Sequence, residues 1–161
     1  GRPAKAGAAL SHSCGWVACG VGARATTGVD LEWLRRRPVM RLARFSYSRD
    51  EATALAQLPA PGRLARFHEL WVLKEAAAKA LGLPLFTALA RCRFRIDARG
   101  ILGELPGGIA WRAWVYAPRE DLRLAFLSLD RRAPAPRCME WQHGAAHARA
   151  RRWPLIASGR G

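Results

Sequence analysis

Residues 67–81 read Phe-His-Glu-Leu-Trp-Val-Leu-Lys-Glu-Ala-Ala-Ala-Lys-Ala-Leu. Phe67, Leu70, Leu73, Ala77 and Leu81 recur at spacings of three and four, which is the period of an amphipathic helix. Gly82 and Pro84 follow and end it, glycine by accepting the left-handed cap and proline by refusing to continue the turn. Trp71, Glu75 and Lys79 lie four apart and so climb one side of the helix, away from the apolar stripe. A stripe of this length has to lie on another element, and β-leaning runs occur both earlier and later in the chain.

Upstream, Gly15–Gly22 is a short apolar run bounded by glycine, and Thr27–Glu32 is a second β-leaning run. With Arg24–Thr26 as a polar turn, the two read as neighbouring antiparallel strands. Pro38 opens a helix through Arg44, and Ser48 followed by Glu51 is a capping-box signature before Ala52–Leu58. Leu58-Pro-Ala-Pro-Gly62 is a break. Downstream, strands are expected at Arg91–Ile96, Ile109–Tyr116 and Leu122–Leu129, separated by turns that contain glycine or proline. The expected fold class is α+β, an antiparallel sheet packed against helices.

Beyond Asp130 the composition turns to Arg, Ala, Pro and Gly without a sustained period, with seven arginines against one acid, Glu140. Two parts follow: a folded domain over residues 1–130 and a basic, disordered tail over 131–161. Half of the 161 residues are apolar, enough for one domain with a real core. No apolar run approaches the roughly 18 to 20 residues of a membrane span, and no charged-then-apolar leader opens the chain, so a cytoplasmic protein without a membrane partner is expected. Cys14, Cys19, Cys92 and Cys138 match neither a paired zinc site nor a disulfide framework and read as reduced, mostly packed thiols. A net charge of +15 favours an anionic partner without specifying one.

Asp30 and Glu32 are two apart, so on a strand both carboxylates leave the same face, roughly 6 to 7 Å apart at the backbone. Like charges so placed repel unless a cation lies between them. Magnesium suits the arrangement, taking a few carboxylates and filling its remaining positions with water and phosphate oxygens. Taken singly, each feature also has an ordinary reading. Asp-x-Glu is a solvated strand end, Glu75 with Lys79 an i,i+4 surface pair, Lys74 a solvated cation, and His12 between Ser11 and Ser13 a loop residue. Their joint occurrence in a chain with few acids favours a site where a divalent cation meets a pyrophosphate. Neither a phosphate-loop motif nor a dinucleotide fingerprint is present, which leaves lysines, metal and histidine to hold phosphate.

Three blocks in order carry a resemblance: Gly1-Arg2-Pro3 with Leu10-Ser11-His12-Ser13, then Gly28-Val29-Asp30-Leu31-Glu32, then Trp71-Val72-Leu73-Lys74-Glu75 with Lys79. Together they resemble the 4'-phosphopantetheinyl transferase superfamily, in particular its larger surfactin-synthetase type, from Gly1 to about Leu129. The resemblance implies magnesium-dependent transfer of the 4'-phosphopantetheine arm of coenzyme A to a serine of an acyl or peptidyl carrier protein, releasing adenosine 3',5'-bisphosphate. It matches Asp30, Glu32 and Glu75 to metal ligands. Glu75 and Lys79 take catalytic roles, and coenzyme A is held by Arg2, His12, Ser13, Lys74 and Lys79. Arg2 stands where the family commonly has lysine, which donates differently.

Members of that type fold as two similar halves in a pseudodimer, and this chain resembles one half with the end of the other. An acidic carrier would meet a basic surface, here expected at Arg35, Arg36, Arg37, Arg41, Arg44 and Phe45. A solvated helix face explains the same arginines equally well. Two alternatives stay open. One is a transferase fragment that keeps the fold without turnover. The other is a basic nucleic-acid-binding module built on the tail and Trp153, although no binding motif supports a nucleic-acid partner.

Overall fold

The computed structural model describes residues 7–22 and 26–161. In chain order these form β1 (Gly7–Ser13), β2 (Trp16–Gly22), β3 (Thr27–Trp33), α1 (Val39–Ser46), α2 (Arg49–Ala56), α3 (Ala60–Leu81), α4 (Leu85–Arg91), β4 (Arg93–Asp97), β5 (Gly100–Glu104), β6 (Arg112–Arg119), β7 (Leu122–Ser128), β8 (Cys138–Glu140), β9 (Arg149–Arg151) and β10 (Leu155–Arg160). The main sheet has six strands in the order β3-β7-β6-β10-β5-β4. All its neighbours are antiparallel except β10 and β5, which run parallel. The α+β expectation holds.

The long central helix forms as its periodicity predicts. Gly82, at φ +65°, caps α3 by donating its N–H to the carbonyls of Ala78 and Lys79. Phe67, Leu70, Val72 and Leu73 are buried on the sheet, each contributing about 1.5–3 kcal/mol relative to exposure. The capping box at α2 is also present: Ser48 Oγ accepts from Glu51 N at 3.3 Å, and Glu51 Oε2 accepts from Ser48 N at 2.8 Å. The expected break at 58–62 is shorter than its composition implies. Pro59 is the N-cap of α3 and Pro61 lies in its first turn, where a missing N–H costs nothing.

How close α3 lies to β3 is decided by Gly28. A Cβ built there would lie 1.8 Å from the Ala76 carbonyl oxygen and 2.9 Å from Ala80 N. Only a residue without a side chain lets the helix backbone rest directly on the strand. Asp30 and Glu32 follow at the next two positions of the same strand face, so the contact that seats the helix also brings its polar side over both acids.

The upstream strands pair differently from expectation. The run at Gly15–Gly22 pairs with residues 7–13 as a hairpin, β1 against β2, closed by Cys14 at φ 47° and Gly15 at φ 80°. That two-residue turn with both φ positive matches the twist of the flanking strands. β3 pairs with β7 instead, and Arg24 and Ala25 of the expected turn lie outside the described residues. β1 runs along the free edge of β3, where Ser11 Oγ and Ser13 Oγ accept from Leu31 N and Trp33 N at 3.1 Å each. Serine side chains thereby take the place of a ladder partner and cover the edge.

The sheet has two apolar layers. The larger lies under the helices and includes Phe67, Leu73, Leu89, Phe94, Trp111, Val115 and Leu127. The smaller, on the opposite face, gathers Val29, Leu31, Trp114, Tyr116 and Leu124 under Trp16, Ala18 and Trp153.

The region read as a disordered tail is ordered in part. β8 pairs with β9, and β10 fills an interior position of the main sheet, with Ala157 facing Val115 and Gly159 facing Ile101. Composition hid β10 because its interior fit depends on small residues. A Cβ on Gly159 would meet the Ile101 carbonyl oxygen at 2.0 Å, so glycine here serves a close approach between strands rather than a loop. All four cysteines are free, as expected, but only Cys92 is buried. Cys138 is half-buried, while Cys14 and Cys19 are exposed on the hairpin. Among the described residues, no helix is long and apolar enough to cross a membrane.

Candidate metal centre

β3 and α3 bring Asp30, Glu32 and Glu75 together, with one carboxylate oxygen from each lying within 4.8 Å of the others. Asp30 is 2 % exposed. Its Oδ1 accepts from Ser11 Oγ at 2.7 Å and from Lys79 Nζ at 2.8 Å, whereas its buried Oδ2 accepts no hydrogen bond. Lys79 also donates to the Val29 carbonyl at 2.9 Å. Glu75 Oε1 accepts from the Trp71 indole at 2.8 Å. Glu32 Oε2 is likewise buried without a hydrogen bond, the nearest cation being Arg37 at 3.7 Å.

A buried carboxylate oxygen without a donor is costly, and here two of them sit within one cluster of three acids. Burial pushes Asp30 above its ordinary value despite Lys79 and Ser11, because loss of solvation outweighs those contacts. Burial, then the charge of Asp30, raises Glu32. Glu75 rises furthest, to about 7, through burial and then Asp30, against the opposing pull of Lys79 and the Trp71 hydrogen bond. Three carboxylates that resist ionising together, with oxygens left open, form a donor set that fits a hard divalent cation.

The other expected site residues do not all arrive here. Lys74, expected to hold coenzyme A phosphate, is fully buried instead. Its ammonium donates to Glu51 Oε2 at 2.9 Å and to the carbonyls of Leu89 and Cys92 at 2.8 and 2.6 Å. One residue along a helix is a turn of 100°, so Lys74 and Glu75 cannot share a face. Lys74 ties α2, α3, α4 and the start of β4 together. His12 is exposed on the outer face of the hairpin, because strand alternation turns it away from the face that Ser11 and Ser13 present to β3. Ser13 accepts from the backbone of β3. Arg2 lies outside the described residues.

Lys79 reaches the centre and keeps 32 % of its side chain exposed, so it can meet a ligand from solvent. Of the arginines expected to form a basic surface, Arg35, Arg36, Arg41 and Arg44 are exposed while Arg37 turns towards Glu32. Phe45 is 81 % exposed and meets Phe86, 69 % exposed, edge to face with ring centroids 6.5 Å apart.

Ser11 and Trp71 are the residues whose part in the centre sequence reasoning missed. Each donates to one oxygen of an acid in the cluster. The signal for Trp71 was its four-residue spacing from Glu75. Ser11 gave none, because its contact with Asp30 depends on how the hairpin lies along β3.

A family model described as the 4'-phosphopantetheinyl transferase superfamily matches residues 26–127, a span that takes in β3, all four helices and most of the sheet. No curated protein matches the chain.

Proposed function

The chain belongs to the 4'-phosphopantetheinyl transferase superfamily, and from that premise we propose that it transfers the 4'-phosphopantetheine arm of coenzyme A to a serine hydroxyl of an acyl or peptidyl carrier protein, with magnesium held by Asp30, Glu32 and Glu75. The observation that carries the reading is the convergence of these acids beside Lys79, with Asp30 Oδ2 and Glu32 Oε2 open. In the reaction the serine oxygen bonds to the phosphorus that bears pantetheine. The bridging phosphorus–oxygen bond breaks and adenosine 3',5'-bisphosphate leaves. A magnesium ion bound to the acids supplies positive charge to the pyrophosphate oxygens.

The chain's own groups do the rest. Glu75 takes the serine proton, directly or through a water. Lys79, fixed by Val29 O and Asp30, offers its ammonium to the charge that builds on the leaving phosphate. Lys74 has no contact with substrate in this scheme and acts by anchoring α3. His12, exposed on β1, is free to meet a phosphate oxygen of coenzyme A as the resemblance implies, while Ser13 Oγ is engaged by Trp33 N.

The carrier docks, in this reading, on Arg35, Arg36, Arg41 and Arg44 around the exposed Phe45–Phe86 pair. Positive charge there steers an acidic helix, and the two rings give it an apolar anchor. We assign the chain to the larger, surfactin-synthetase type, as one half of a pseudodimer, on the strength of the Gly28–Glu32 and Trp71–Lys79 blocks.

The test is to incubate the protein with coenzyme A, magnesium and an apo carrier protein and to look by mass spectrometry for the added arm. Product that depends on magnesium and is lost in Glu75→Gln supports the reading. Magnesium binding without product points instead to a fragment that keeps the fold but not turnover. Reversing Arg41 and Arg44 to glutamate should raise KM for the carrier and leave KM for coenzyme A unchanged.

A further inference from the structure

The three acids are not held alike. Two of them have one oxygen already engaged by the protein. Asp30 Oδ1 receives two donors, Ser11 Oγ and Lys79 Nζ, and Glu75 Oε1 receives the Trp71 indole. Neither Trp71 nor Ser11 is loosely held. Trp71 packs against Phe67 with ring centroids 5.7 Å apart, and Phe67 in turn stacks on Tyr47 at 5.3 Å. Tyr47 is pinned by its hydroxyl, which donates to the Phe67 carbonyl at 3.0 Å. Ser11 is 9 % exposed, and its Oγ also accepts from Leu31 N. The donors are therefore part of the packed scaffold, and each leaves its acid one oxygen to offer.

We propose that Trp71 on Glu75, and Ser11 acting with Lys79 on Asp30, make this centre selective for magnesium over calcium, by tying up one oxygen of each carboxylate so that neither can bind a cation through both. Magnesium accepts near-octahedral ligation at short distance from single oxygens and keeps several waters, whereas calcium seeks six to eight oxygens and commonly takes carboxylates two oxygens at a time. A cluster in which two of three carboxylates are limited to single oxygens suits the first demand better than the second. The proposal rests on the reading of the cluster as a cation site and adds to it which ion the surrounding residues select. Hydrogen bonds to the far atoms of metal ligands typically alter affinity by about 10- to 100-fold, which sets the size of the expected effect.

The experiment titrates magnesium and, separately, calcium into the metal-free full chain by calorimetry, for wild type, Trp71→Phe and Ser11→Ala. Trp71→Phe keeps the ring stack and removes only the N–H. Ser11→Ala acts on the other acid, through another element, so the test does not depend on one variant folding. Circular dichroism confirms the fold of each before titration.

In Trp71→Phe the ratio of calcium to magnesium dissociation constants should fall by about tenfold or more, through tighter calcium binding, and in Ser11→Ala, where Lys79 still holds Asp30 Oδ1, it should fall in the same sense by less. A ratio that stays at the wild-type value overturns the proposal, as does a parallel loss of affinity for both ions, which would mark the two residues as merely structural. Absence of binding by either ion to the wild-type protein would instead overturn the reading of the cluster beneath it. The two failures are thus distinct.

Discussion

Replacing Gly28 with alanine tests whether the contact between α3 and β3 builds the centre. The new Cβ would sit 1.8 Å from the Ala76 carbonyl oxygen, 2.8 Å from its carbon and 2.9 Å from Ala80 N, where real contacts stay beyond 3.0 Å. All three atoms are helix backbone, so no side chain can swing aside and the helix must lift by more than an ångström. Ala76, Ala77 and Leu73 are fully buried at that contact. A gap of roughly 0.5–1 Å already forfeits a quarter to a half of the dispersion energy between facing atoms.

Overpacking of this kind costs about 1–3 kcal/mol, and the backbone origin of the clash places Gly28→Ala near 3 kcal/mol, with strain and lost contacts acting together. For a chain of this size that lowers Tm by roughly 6–12 °C. Because Glu75 precedes Ala76 directly, lifting the helix also withdraws it from Asp30 and Glu32. A displacement near 1 Å can reduce a rate by about 100-fold. Urea denaturation followed by circular dichroism measures the first effect, and calorimetric magnesium titration with the carrier assay measures the second. If Gly28→Ala is within about 0.5 kcal/mol of wild type and binds magnesium unchanged, the account of how the centre is assembled is wrong.

Gly62→Ala is the matched control, since nothing lies within 4 Å of a Cβ there. In the first turn of α3 it should stabilise by about 0.5–1 kcal/mol in the same denaturation assay. Lys74→Met should destabilise by about 3–5 kcal/mol, because the buried Glu51 carboxylate loses the cation that faces it. Magnesium affinity of the folded fraction should not change. Glu75 predicts two pH effects of opposite sense. A cation binds the ionised carboxylate, so magnesium affinity measured by calorimetry should fall as pH drops below about 7 and level off above it. In metal-free protein the folded value is raised above 4.5. The native state then holds the proton more tightly, and its stabilisation is full below 4.5 and lost as pH rises through about 7. Glu75→Gln should flatten both profiles over that window, and thermal melts in chelator check the second.

Much of this was legible in sequence where one element decides its own geometry. The helix over 67–81, its Gly82 cap and the Ser48–Glu51 box depend on residues within a turn or two, and all three form. The meeting of Asp30, Glu32 and Glu75 was legible for a related reason, because alternation on a strand and a four-residue step on a helix each fix a face. What failed depended on neighbours distant in the chain. Lys74 looked like a phosphate ligand because its spacing does not reveal that Glu51 and two carbonyls enclose it. His12 was read as a loop residue, whereas it lies on β1 and faces outward by the alternation of that strand. β10 was missed because arginine, proline and glycine describe a solvated tail equally well, and only its slot between β6 and β5 makes those glycines intelligible.

That slot has a consequence for how the chain comes into being on the ribosome. Synthesis delivers β4 and β5 early, yet they join the remainder of the sheet only through β10, the last of its strands to be translated. Until residues 155–160 emerge, the hairpin of β4 and β5 is held by the helices alone and β6 keeps an open flank. A two-stranded hairpin by itself is marginal in water, and the open flank is a template for pairing with the wrong chain. A chain cut before residue 155 should therefore leave β6 unpaired on that side and aggregate more readily than the full chain.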